Sequence, residues 1–225
     1  VFSNVPFLFV MGIYLFSWLA LQITATIIPF YVDFWIGDGE FFLALLLVQG
    51  LAIPMMFVCS WLSQRIGKKG LYFLGSGLWI IVQIGLFFLQ PGQVNTMYAL
   101  CMAASFGVAT AYIVPWSILP DVIELDELKT GCRREGAFYA FMTLLQKGGL
   151  AIGLFLVGLS LEFSGFSEQA AVQPDSALQS IRFFVGPVPL TLLICGIVLA
   201  YFYPITKSMH EEILLKLAER KKGER

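Results

Sequence analysis

Lys147 stands near the middle of an apolar stretch that runs from about Ala137 to Phe163. An ammonium at that depth in hydrocarbon costs at least about 2.5–3.5 kcal/mol on insertion scales, so the side chain calls for a cavity, a substrate or a carboxylate partner. Tyr139 and Thr143 precede it at spacings of four, which puts the three on one helical face with Gln146 beside them. Tyr112 and Trp116 are also four apart, with Pro115 between them, and can form an aromatic platform for a sugar ring or pack in a core. A third set is ionic. Asp121, Glu124 and Glu127 recur every three residues after the proline-bounded end of a helix, and Lys129, Arg133 and Arg134 lie within reach. Carboxylates opposite basic groups at a helix mouth can make a gate that breaks as a protein changes state, or a solvated loop. Other chemistry has no seat: there is no nucleophile–base pair, phosphate loop or CxxC pair among Cys59, Cys101, Cys132 and Cys195, and His210 is the one histidine. The sequence therefore predicts no enzyme, no cofactor, no metal and no nucleic-acid partner.

The elements that hold these residues are membrane spans. Hydrophobic residues make up 58% of the 225 positions and charged ones 13%, with a mean hydropathy of +0.82, against roughly a quarter charged in a soluble domain. Residues 1–32, 41–64, 70–120 and 183–206 hold no Asp, Glu, Lys or Arg, and such runs need lipid around them. Runs apolar over 20 or more positions also exclude a β-barrel, whose strands alternate. Six spans are expected: Val5 to about Tyr31, bounded by Pro6 and Pro29; about Glu40 to Ser63; Leu71 to Leu89; about Asn95 to Leu119; about Ala137 to Phe163; and about Ile181 to Tyr203. Gly148, Gly149, Gly153 and Gly158 on the fifth allow a neighbouring helix to approach closely.

Six crossings bring Arg65, Lys68, Lys69, Lys129, Arg133, Arg134 and the Lys/Arg-rich tail 207–225 to one side. Asp33, Asp38, Glu40, Glu168 and Asp175 fall on the other, where Arg182 is the exception, reaching the interface by its length. The positive-inside rule then places both ends in the cytoplasm. Residues 1–206 are expected to form the bundle and 207–225 an amphipathic basic cytoplasmic tail; Val1, with no short signal segment before the first long helix, suggests a chain that starts inside a larger protein.

The segment Pro115–Gly131 (PWSILPDVIELDELKTG), followed by RREGAFY at 133–139 and KGG at 147–149, resembles a signature of the glycoside–pentoside–hexuronide:cation symporters, the melibiose-permease-like family of the major facilitator superfamily. The resemblance implies an all-α polytopic membrane protein whose six transmembrane helices form the second half of a twelve-helix fold. It implies that Lys147 and Thr143 face the substrate cavity and that Asp121, Glu124 and Glu127 are the family's cytoplasmic carboxylates, with Glu124 in place of the usual aspartate. The expected function is cation-coupled symport of a small glycoside, sugar or sugar acid by alternating access in the inner or plasma membrane. The coupling ion, Na⁺ or H⁺, would be bound mainly by a missing N-terminal six-helix half, or a second copy would rebuild the two halves. Two other readings are a lysophospholipid or other amphiphile carrier of the same family, and a six-helix membrane module that transports nothing.

Overall fold

A computed structural model of the chain describes residues 4–170, 172–205 and 207–223, with the side chains of 207, 208 and 220–223 aside. The outermost positions of the two expected regions, 1–3, 206 and 224–225, lie outside the described residues. The described residues form helices joined by short turns: α1 (Val5–Phe30), α2 (Phe41–Leu45), α3 (Leu51–Phe88), α4 (Val94–Thr130), α5 (Glu135–Phe163), α6 (Asp175–Val185), α7 (Pro187–Phe202) and α8 (Lys207–Gly223). Five continuous stretches are long and apolar enough to cross a membrane: Val5–Ile36, Phe41–Phe88, Val94–Thr130, Glu135–Phe163 and Asp175–Phe202.

The 48 residues of Phe41–Phe88 would be about 72 Å long as one straight helix, more than twice a hydrocarbon core. Gly67 breaks the run at φ 78° and ψ 162°, a conformation open to glycine because it has no Cβ. Both arms then follow α4 in opposite directions. On the first, Glu40 meets Tyr98 and Gln49 meets Tyr112; on the second, Lys68 meets Asp121, Gly75 meets Thr110 and Trp79 meets Gly107. The gap left between the expected second and third spans, 64–70, thus narrows to one residue, and the described residues form six apolar arms.

Three expected boundaries move. The first span does not stop at Pro29 but passes it and continues through a π-helical turn, Tyr31–Ile36. A wider turn tolerates the missing proline N–H. The fourth span does not end at Leu119. α4 runs through Pro115 and Pro120 to Thr130, so Asp121, Glu124 and Glu127 sit on the helix itself rather than beyond its end. Val122, Ile123 and Asp126 are buried there, and that packing holds the last turns until Gly131, left-handed at φ 73°, returns its N–H to the Glu127 carbonyl. The last span starts at Asp175, not Ile181, and bends at Gly186–Pro187. Arg182 is therefore inside a helix, donating to the Phe87 carbonyl at 2.9 Å and lying 4.3 Å over the Trp35 ring.

α1 is the inner helix, packed against α4, α5, α6 and α7, whereas α5 leans chiefly on α1 and leaves much of its surface open. The basic segments gather at one end of the bundle, where Lys68, Lys69, Arg134 and His210 all find partners. At the other end Trp35 donates to the Leu89 carbonyl and Tyr98 accepts from the Glu40 amide.

Candidate functional site

α4 brings Tyr112 and Trp116 to one face, but the two rings do not stack on each other. Tyr14 and Trp18 of α1 interleave them: Tyr112 lies 5.8 Å from Trp18, Trp18 5.8 Å from Tyr14, Tyr14 5.6 Å from Trp116, and Trp116 stacks 6.1 Å from Tyr139 of α5. The ladder runs from the interior, where Tyr14 is fully buried, to Tyr139, which is 40% exposed. Tyr14 and Trp18 escaped the sequence reading, although they carry the same i, i+4 aromatic spacing used to select Tyr112 and Trp116. The Tyr112 hydroxyl donates to Gln49 at 3.3 Å, tying the ladder to the first arm of the Gly67 hairpin.

Trp18 also fixes α5. Its Nε1 donates to the backbone carbonyl of Gln146 at 2.9 Å, next to Lys147. The approach is possible because Gly149 lacks a side chain: a Cβ there would sit 2.9 Å from Trp18 Cδ1, and one on Gly153 3.1 Å from Gln22 Cβ. Gly148 and Gly158 face open space, so the close approach expected of four glycines belongs to two.

Tyr139, Thr143 and Lys147 form the expected stripe on α5, and all three are exposed. The Thr143 hydroxyl donates to its own helix at the Tyr139 carbonyl. Among the described residues Lys147 makes no hydrogen bond or ion pair with this chain. No carboxylate among the described residues serves it. An enclosed space lies elsewhere in the bundle, between α1, the first arm, the second arm and α4, lined by Thr24, Gln49, Trp79 and Gln83. It has room for about one water. There Gln83 donates to Thr24 at 2.8 Å.

The carboxylates of α4 are sorted among cations more finely than their spacing suggested. Arg133 reaches Glu127 at 3.0 Å and also pairs with Glu135. Arg134 grips Asp126 through Nε at 3.1 Å and Nη2 at 2.8–2.9 Å. Asp121 and Glu124 take neither arginine. Lys68 binds both Asp121 oxygens at 2.7 and 2.8 Å and the Ser117 carbonyl at 2.7 Å, while His210 of α8 reaches Glu124 at 2.6 Å and Asp121 at 3.4 Å. Four carboxylates crowd the negative end of the α4 dipole, which on its own disfavours them. Lys68, Arg133 and Arg134 offset that, and His210 adds a hydrogen-bonding nitrogen from α8.

Lys68, Asp126 and His210 are the ionic residues missed in sequence; Lys68 and Asp121 are 53 positions apart and His210 and Glu124 86. Oxygen and nitrogen atoms of Asp121, Glu124 and His210 lie within 4.8 Å of one another. Asp121 accepts from Lys68 on both oxygens, and His210 Nε2 faces both carboxylates, so the set is an ionic knot.

Apolar arms around an aromatic and polar stripe, with an ion-paired end, define an integral membrane protein of bundled helices. Residues 1–207 match the model of the MFS/sugar transport protein family, and the chain belongs to that family. It is 53% identical to an uncharacterized symporter of Synechocystis over 99% of this chain and 42% of that protein. It is 29% identical to the glucuronide carrier protein homolog of Escherichia coli over 86% of this chain and 42% of that protein. With the human sodium-dependent lysophosphatidylcholine symporter 1 the identity is 28% over 94% of this chain and 39% of that protein. The chain thus spans about two fifths of the length of these relatives. The family is one of carriers that leave their cargo chemically unchanged, and the protein is not an enzyme.

Proposed function

We propose that the chain is one six-helix half of a secondary transporter that moves a small glycoside, sugar or sugar acid by alternating access, driven by Na⁺ or H⁺. The observation that carries this reading is the Tyr139–Thr143–Lys147 stripe, exposed and without a counter-charge among the described residues, at the foot of the aromatic ladder. An ammonium in that position needs water, substrate or a carboxylate, and a second six-helix half closing over α5 would supply them. Tyr139 and Trp116 offer an apolar ring face to a sugar, Thr143 and Gln146 offer hydrogen bonds, and Lys147 attracts an anionic group or the carboxylate of the facing half. The pairs Asp126–Arg134 and Glu127–Arg133 fasten the α4–α5 corner at the end that the positive-inside rule assigns to the cytoplasm, and Asp121 and Glu124 join α4 to α3 and α8 there. Coupling rests on the names of the relatives, among them symporters, one of them sodium-dependent.

A specific observation keeps an amphiphile as second cargo class. Leu144, Leu154 and Phe155 beside the stripe are 64%, 49% and 65% exposed, a greasy flank that suits an acyl chain better than a sugar. The experiment is uptake by the full-length protein in liposomes, with labelled glycosides, sugar acids and a lysophospholipid, under imposed Na⁺ or H⁺ gradients. Gradient-driven accumulation of a sugar or sugar acid supports the leading reading. Accumulation of the lysophospholipid alone moves the assignment to the amphiphile, and no accumulation of any of them contradicts both.

A further inference from the structure

The tail helix α8 is not free of the bundle. Ile213 and Leu217 are 4% and 6% exposed, and with His210 they stand at i, i+3 and i+7, one face of the helix, turned toward α4. Two apolar side chains are a small seat, so the polar contact above them decides whether the helix stays docked.

That contact has an unbalanced charge. Asp121 and Glu124 bring two carboxylates, Lys68 brings one ammonium, and His210 Nε2 faces both carboxylates at 3.4 and 2.6 Å. The knot is neutral only when His210 carries its second proton. From the neighbouring elements, Tyr203 contributes a buried phenol, and Lys69 is engaged by the carbonyls of Tyr201 and Tyr203. On α8 itself Glu211 is exposed to solvent, and Glu212 is held below the usual carboxylate range by its hydrogen bond to Lys216 and the charge of that lysine. Neither competes for the histidine.

We propose that α8 is a proton-sensitive latch: protonated His210 clamps the tail helix onto Asp121 and Glu124 of α4, and loss of the proton loosens it. The sign follows from the charges. A doubly protonated imidazole makes a charge-assisted bond to carboxylate, about twice as strong as a neutral one. Docking is therefore strongest on the acid side, while the carboxylates remain ionised, and weakens as pH rises. Because the latch grips the helix that also carries Trp116 and the Arg133/Arg134 pairs, docking ties the tail to the element that shapes the transport face. The inference stands whether or not the chain carries sugar.

The test is thiol labelling of the full-length protein in liposomes. Leu217→Cys places a thiol in the seat, and native Cys132, exposed between α4 and α5, serves as internal reference at each pH. The Leu217→Cys rate divided by the Cys132 rate is expected to rise about threefold to tenfold from pH 5.5 to pH 8.5. His210→Gln should give the high ratio at both values and His210→Arg the low ratio at both. Size-exclusion elution of each variant reports that it is folded, and Glu124→Gln, which keeps the helix, should reproduce His210→Gln. A ratio flat with pH in the parent, or unchanged by His210→Gln, overturns the latch. A ratio lowered at pH 8.5 by Zn²⁺ but insensitive to pH overturns proton control in favour of a metal clamp.

Discussion

The two polar regions of the bundle treat charge in opposite ways. At the basic end Asp121, Glu124, Asp126 and Glu127 each have a cation or histidine from the same chain within 3.0 Å or on two atoms. On α5, Lys147 has no such partner among the described residues. A charge answered by its neighbours holds those neighbours together, whereas one left open at membrane depth needs water, a substrate or a further carboxylate to cover it. Under the proposed function, the difference separates residues that hold the described helices together from those expected to meet a partner or cargo.

Breaking the open region should show in transport before stability. Lys147→Met in the full-length protein is expected to lower gradient-driven uptake at least about tenfold, with the melting temperature in detergent unchanged, because no hydrogen bond or ion pair among the described residues is lost. Breaking the paired region should do the reverse. Lys68→Met leaves the Asp121 carboxylate, 9% exposed, without its cation; since Lys68 is about a third exposed, a loss of about 1–3 kcal/mol is expected, less than for a fully buried pair. Removing both charges, as Lys68→Met with Asp121→Leu, should recover most of it, which a double-mutant thermal series checks.

Smaller effects sharpen the boundary between the regions. Gly149→Ala pushes a methyl against Trp18 and should cost about 1–2 kcal/mol, while Gly148→Ala, which meets nothing within 4 Å, should be neutral in the same melting assay. Arg133→Ala removes a half-exposed partner from Glu127 and should lower the melting temperature by less than Lys68→Met does, with uptake close to the parent.

The sequence exposed the spans because lipid demands long apolar runs, and it exposed Lys147 because a charge inside one stands out. It hid the ends of those spans. Pro29 and Pro120 read as stops, yet a π-helical turn carries one helix on and the burial of Val122, Ile123 and Asp126 carries the other. Local signals could place Arg133 and Arg134 beside the α4 carboxylates, six to eight positions away. No local signal could assign Asp121 to Lys68 or Glu124 to His210, since those partners meet only through the Gly67 hairpin and the return of α8. Tyr14 and Trp18 were within reach of the aromatic spacing rule.

Whether the open face of α5 lines water or lipid decides the account most directly. Thr143→Cys in the full-length protein in liposomes, exposed to a membrane-impermeant maleimide or to a lipid-soluble one, reads this out. The account predicts reaction with the impermeant reagent and protection by the transported solute. Reaction with the lipid-soluble reagent alone, unaffected by any solute that is taken up, would place the stripe against the bilayer and contradict it.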